Sequence, residues 1–218
     1  MMKSLFILLP FLLPVSAAAQ SVWEKPSTAD VEAAAGADKD NPRQLKEDPK
    51  YLEGAVPEKD GKVVWTLDVD VPGKTAAQIY DTMLKCLTDL TKTENQLEGS
   101  CVALVNKQEH IVVANIREWL VFTDKLLVLD RARFHYTLIA YCADGHLKLT
   151  MDRLTYRYDE DRTKFGTYVY KAEEWITDKE ALNRSKTGLR RASAKFRRKT
   201  IDRKDYLFDV IREAVLKP

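Results

Sequence analysis

The densest chemistry in this sequence is cationic. Arg190, Arg191, Lys195, Arg197, Arg198, Lys199 and Arg203 crowd around Phe196, and residues 184–204 hold ten basic side chains against one acid, Asp202. Guanidinium forks donate in pairs to phosphate or carboxylate oxygens, and ammonium groups add compact point charges. Those seven residues are the candidate anion-binding set. The matching partner would be an anionic lipid, polysaccharide or protein of a cell envelope. The competing reading is a solvated face, neutralised by acids elsewhere in the chain. Asp159-Glu160-Asp161 is one source, and residues 21–60, with ten acids against six bases, are another.

Other chemistries lack their parts. His110, His135 and His146 have neither the i, i+4 pairing nor the adjacent carboxylate of a zinc protease. No Ser sits in a glycine-flanked nucleophile elbow, and no Gly-rich phosphate loop occurs. Asp68 and Asp70 share the outward face of a strand, where solubility is their expected role rather than general acid–base work. No catalytic constellation, metal site or cofactor is expected. Seven aromatics, Trp65, Trp119, Tyr136, Tyr156, Tyr168, Tyr170 and Trp175, lie on or beside predicted strands. They either fill the core or line an apolar pocket between the sheet and the C-terminal helix, which would make the protein a small-ligand carrier.

The N-terminus predicts where the chain works. Lys3 precedes an apolar run over residues 5–15, and Ala17, Ala18 and Ala19 supply the small side chains of a peptidase site before Gln20. The run is shorter than the ~20 residues that span a bilayer. Residues 1–20 thus read as a signal peptide cleaved near Ala19. The mature form is expected in the periplasm or secreted, without a transmembrane segment. An exported chain has little access to chromosomal DNA, so no nucleic-acid partner is expected. Three cysteines cannot all pair internally. Buried free thiols are one reading; a Cys86–Cys101 or Cys101–Cys142 bridge is the other.

Positioning these groups falls to a predictable set of elements. Residues 21–60, punctuated by Pro26, Pro42, Pro49 and Pro57, read as a flexible arm, with Tyr51, Leu52 and Val56 able to tack its end onto the domain. The ordered domain is expected over residues 61–217. Val63, Trp65, Leu67, Val69 and Val71 alternate with polar neighbours as a half-buried strand. Thr75 with Gln78 forms a capping box before a helix carrying Ile79, Met83, Cys86, Leu87 and Leu90. Strands follow over 101–105, 111–122 and 134–142, and Asp144-Gly145 marks a hairpin. The return strand switches parity at Asp152-Arg153, which predicts a β-bulge. A turn at 159–161 and a strand over 166–171 come next. A second capping box at Thr177/Glu180 and a third helix start at Asp202/Asp205, with Ile201 and Tyr206 as hydrophobic staple, complete the pattern. Strand, helix, meander, helices implies an α+β domain with an antiparallel sheet packed against helices.

Four stretches resemble one family: residues 51–57 (YLEGAVP), 61–73 (GKVVWTLDVDVPG), 118–122 (EWLVF) and 195–205 (KFRRKTIDRKD). On these the chain is similar to domain of unknown function family 4468, exported proteins of the Bacteroidetes with a TATA-binding-protein-like (TBP-like) fold. The resemblance implies that fold and a periplasmic setting. It carries no catalytic residues and no assigned activity, and a fold name is no evidence of DNA binding.

Overall fold

Trp65, Leu67 and Val69 point inward while Thr66, Asp68 and Asp70 stay exposed, and this period of two sets the first long strand. The computed structural model describes residues 47–125, 128–158 and 168–217, which belong to the unit Leu45–Pro218. The expected signal peptide, the arm up to residue 46, the turn at 159–161 and the start of the strand at 166 lie outside the described residues.

Two short strands, β1 (Glu58–Lys59) and β2 (Lys62–Val63), form a hairpin. β3 (Trp65–Asp70) leads into α1 (Ala76–Leu90), followed by β4 (Cys101–Asn106), β5 (Ile111–Lys125), β6 (Val128–Ala143), β7 (His146–Tyr158) and β8 (Tyr168–Lys171). The main sheet is antiparallel in the order β3-β7-β6-β5-β4, with β8 pairing the far half of β7. Two one-turn helices, α2 (Ala172–Trp175) and α3 (Asp178–Ala181), precede the long α4 (Arg191–Leu216).

Local rules explain most of these boundaries. The Thr75 hydroxyl accepts from Gln78 N at 3.3 Å, and the Gln78 side chain accepts from Thr75 N at 2.9 Å. This capping box satisfies two otherwise orphaned donors and is worth about 1 kcal/mol. The parity switch in β7 is a bulge: His135 faces Thr155, Thr137 faces Asp152, and Arg153 takes a φ of 55°. That bulge keeps both Met151 and Leu154 buried, so one strand lines the core on either side of it.

Packing is one-sided. Ile79, Met83 and Leu87 of α1, and Phe196, Ile201, Leu207, Ile211 and Val215 of α4, cover one sheet face. Phe134 and Tyr156 stack with centroids 5.0 Å apart, and Phe196 sits 4.6 Å from Phe122 and 5.3 Å from Tyr156. These rings fill the space between sheet and C-terminal helix, with Phe134 and Tyr156 fully buried and Phe196 nearly so.

Three local expectations are corrected. Asp202 caps nothing, because α4 runs unbroken through it. Its carboxylate instead accepts from Lys50 Nζ and Tyr51 Oη, each at 2.7 Å. Tyr206, expected as a staple, is exposed. Thr177 stands at the N-cap of α3 but makes no side-chain cap, since its hydroxyl donates back to Glu173 O at 3.4 Å. Order also begins earlier than Lys62. Residues 47–52 are held by α4, through Arg197, Arg198 and Asp202, and further along Val56 is buried and Trp65 Nε1 of β3 donates to Ala55 O at 3.0 Å.

Candidate functional site

α4 turns 100° per residue, so a run of cations that is contiguous in sequence spreads around the helix. Arg197 points inward and is fully buried. Its guanidinium donates to Tyr51 O and Ile176 O at 2.6 Å, to Leu52 O at 2.5 Å and to Asp178 Oδ1 at 2.6 Å. Arg203 forks onto the buried Glu118 at 2.8 and 2.6 Å. Burial opposes its charge, but the hydrogen bonds and charge of Glu118 prevail and raise its pKa. Arg198 pairs with Glu47. Lys195 donates to Asp130 at 2.8 Å and to Tyr158 Oη at 2.6 Å, and lies over the Phe122 and Tyr158 rings. Arg190 is exposed but spends its Nε on Leu182 O at 2.9 Å. Arg191 and Lys199 are exposed. The expected anion-binding set is therefore not one patch. Four of its seven members are ion-paired within the protein, and Arg197 cannot reach a ligand.

The helix-free face of the sheet concentrates positive charge differently. On β5, Arg117 and Trp119 point outward while Glu118 between them points into the core. On β6, Arg131, Arg133 and His135 share that outer face, and Arg157 does so on β7. Register joins them: Trp119 lies opposite Arg133, Arg133 opposite Arg157, and Arg117 opposite His135. The half-buried Trp119 ring lies 3.6 Å from the Arg131 guanidinium carbon and 5.4 Å from that of Arg133. Each such contact is worth roughly 0.5–1 kcal/mol at an exposed site and fixes where the charge stands.

The segment between α1 and β4 is paired along the edge of β5. Trp119 N donates to Asn95 O at 3.0 Å and Leu97 N to Arg117 O at 2.7 Å. Ser100 Oγ accepts from Arg117 N at 2.8 Å and donates to Arg117 O at 2.7 Å. A concavity of about 480 Å³ lies elsewhere, lined by Cys86, Leu90, Tyr206, Val210 and Ala214 between α1 and α4 rather than between sheet and helix.

At the opposite end of the outer face, His146 bridges Asp70 Oδ1 at 3.1 Å and Asp68 Oδ1 at 3.3 Å. The strand register creates this carboxylate neighbourhood, and spacing along the chain did not disclose it. Among the described residues, no cluster of three His, Cys, Asp or Glu could hold a metal ion, and no helix is long and apolar enough to cross a membrane.

All three cysteines are free thiols: Cys101 is exposed on β4, Cys86 half-buried and Cys142 buried. Burial pushes the Cys142 thiol up to about 12 and also raises Cys86, to which nearby Asp89 adds. Maleimide labelling at pH 8, read by peptide mass spectrometry, should modify Cys101 at least about tenfold faster than Cys142. Equal rates would contradict the burial described.

The sequence alone offers Trp119 as one of seven aromatics that fill the core or line a pocket, and it does not single out Arg117, Arg131 or Arg157. The signal was there in the alternation Arg117-x-Trp119 and Arg131-x-Arg133-x-His135.

Comparison with known proteins places this fold. The family model described as "Domain of unknown function (DUF4468) with TBP-like fold" matches residues 65–157, which run from β3 through β7 and contain all four outer-face arginines. The crystal structure of a DUF4468 family protein from Bacteroides ovatus is 40% identical, with a TM-score of 0.72 over 79% of this chain and 97% of that one. The chain belongs to the DUF4468 family and has its TBP-like fold. A TBP-like protein from Parabacteroides distasonis shares the fold at 20% identity and a TM-score of 0.58, over 73% of this chain and 96% of that one. No curated protein matches.

Proposed function

We propose that this protein is an exported, non-enzymatic binding or scaffold domain that contacts an anionic component of the cell envelope. The contact surface is the helix-free face of the sheet rather than the basic run of α4. One observation carries this reading: Arg117 of β5 and Arg131 of β6 are exposed on the sheet face that carries Trp119, with the Arg131 guanidinium lying over the Trp119 ring. On α4, Lys195, Arg197, Arg198 and Arg203 are spent on internal carboxylates. The N-terminal signal pattern supports a periplasmic or secreted location.

The test is retention of the mature chain on heparin and on vesicles containing anionic lipid, across a salt gradient. A cation near an anionic surface contributes about 1 kcal/mol, so the double variant Arg117→Ser/Arg131→Ser should weaken partition about 30-fold at low salt. Arg191→Ala/Lys199→Ala should weaken it less. Retention of the outer-face variant equal to that of the unaltered chain, with its circular dichroism unchanged, would refute the assignment.

A further inference from the structure

The sheet ends on β4, which among the described residues is hydrogen-bonded to another strand, β5, on one side only. The other side of an edge strand presents unpaired backbone N–H and C=O groups, and another extended strand is the partner that fits them. Folded proteins usually guard such an edge with charge, proline or brevity. β3, at the opposite end of the sheet order, carries Asp68 and Asp70, and β8 is four residues long and ends in Lys171. β4, with the sequence CVALVN, spans six residues without a charge or a proline. We propose that β4 pairs antiparallel with β4 of a second copy of this chain, joining two sheets into one across a two-fold axis near Leu104.

The side chains of this edge favour such a neighbour. Leu104 is 69% exposed, more than any other large apolar side chain among the described residues, and Val105 beside it is 54% exposed. A register shift between Val102 and Leu104 sends the two to opposite faces of the sheet. Val102 lies opposite buried Ala114, whereas Leu104 lies opposite half-buried Val113, which in turn pairs Ile139. Leu104, Val113 and Ile139 therefore form an apolar row across three strands of the helix-free face, running out to the open edge. Bulges often serve to spoil an edge, but this one sets an isobutyl group where the side chains of an added strand would meet it.

The strand is held in shape at both ends. Asn106 Oδ1 accepts from Gln108 N at 3.1 Å and from Glu109 N at 3.0 Å, which fixes the turn into β5. At the start, Ser100 Oγ clasps the Arg117 backbone through two hydrogen bonds. An edge already ordered loses little conformational entropy on pairing.

The chemistry of the edge selects a second copy as the partner. An antiparallel pair of identical strands obeys a two-fold axis, so one neutral edge complements itself and sets Leu104 against the same residue of the partner. The formal net charge of +2 gives two copies little repulsion to overcome. Opposed residues of paired strands share a face, so the two helix-free faces would look the same way. Arg117 and Arg131 of both copies would then act together on an extended anionic surface, although the pairing itself does not depend on that reading.

Sedimentation velocity of the mature chain from about 1 to about 100 μM tests this, because association follows concentration. The mass should rise towards twice that of the monomer, and high salt should preserve the dimer while abolishing heparin retention. Leu104→Lys sets two ammonium groups against each other and should weaken the dimer at least about tenfold. Its circular dichroism and urea midpoint should stay unchanged, because the residue is exposed. In a Cys101→Ser background, Leu104→Cys should be joined across the axis by a short bis-maleimide, and Tyr206→Cys, exposed on α4, should not. A chain still monomeric at the highest concentration would sink the proposal and leave the edge to a strand of some other protein. A dimer indifferent to Leu104→Lys, or crosslinked through Tyr206→Cys instead, would overturn it by placing the interface elsewhere. The expected dimer without heparin retention would uphold the pairing and refute the anion contact alone.

Discussion

Arg197→Met will remove about 3–5 kcal/mol of folding stability, the range for breaking a buried ion pair from one side. The methionine fills much of the volume but donates nothing. The carbonyls of Tyr51, Leu52 and Ile176 lose their arginine donors together, and Asp178 keeps only the N–H of Gly54 at 2.7 Å among the partners described here. Each unsatisfied buried acceptor costs roughly 1–3 kcal/mol. The loss should appear as a lower urea midpoint at unchanged slope, and the melting temperature should fall by roughly 10 °C at about 2–4 °C per kcal/mol. Because this side chain joins residues 51–52 to α4, limited proteolysis should now cut near Tyr51 before the rest of the domain opens. Arg197→Lys should recover only part of the stability, since one ammonium cannot span all four acceptors. A midpoint shift equivalent to less than about 1 kcal/mol would mean that the guanidinium is not the clamp described here.

Arg203→Met should be nearly as damaging, at about 3–5 kcal/mol, for a related reason. Glu118 has a side-chain exposure of 2% and sits under α4. Besides the arginine fork it accepts from Tyr136 Oη at 2.9 Å and Gln96 Nε2 at 2.8 Å. Those two neutral donors cannot offset a buried negative charge once the cation is gone. The double variant Glu118→Gln/Arg203→Met should then lose at least about 2 kcal/mol less than the sum of the two single variants, which is the coupling a double-mutant cycle isolates. Urea unfolding of all four proteins checks this, and additivity would mean that the fork contributes no specific energy. This cluster also places the outer face of the sheet. Glu118 is flanked by Arg117 and Trp119, so anchoring its carboxylate to α4 fixes the backbone from which both outward side chains project.

The two arginines correct a natural misreading of charge. As a string, 195–204 is a polycation, and the expected role was ligand contact. As a helix, it sends Arg197 inward with Thr200 and Ile201, Arg203 sideways to the sheet, and only Lys199 fully to solvent. A helix with these cations can pack against a sheet only if the sheet and the preceding segment supply acceptors. Glu118, Asp130, Asp178, Glu47 and the carbonyls of Tyr51 and Leu52 do so from up to about 150 positions away. No local rule carries that information.

Strand parity behaved in the opposite way. Alternation in β3, β6 and β7 was readable because burying one face of a pleated sheet demands period two, and the switch at Asp152-Arg153 could be resolved only by a bulge. The Thr75–Gln78 box was readable because both halves of a cap lie within four residues. The box expected at Thr177 failed where a competing carbonyl, Glu173 O, was within reach of the hydroxyl.

What the amino-acid order determined by itself is the α+β class, the two-sided character of β3, β6 and β7, the first helix with its cap, and the site of the bulge. All of these rest on interactions within a few residues or on a simple period. Tertiary structure alone decided which cations of α4 hold the fold, and it alone brought Arg117, Arg131, Arg133 and Arg157 onto the sheet face that carries Trp119. Those outcomes depend on the register between strands and on the rotation of a helix over a sheet, where the partner of each charge lies far away in the chain.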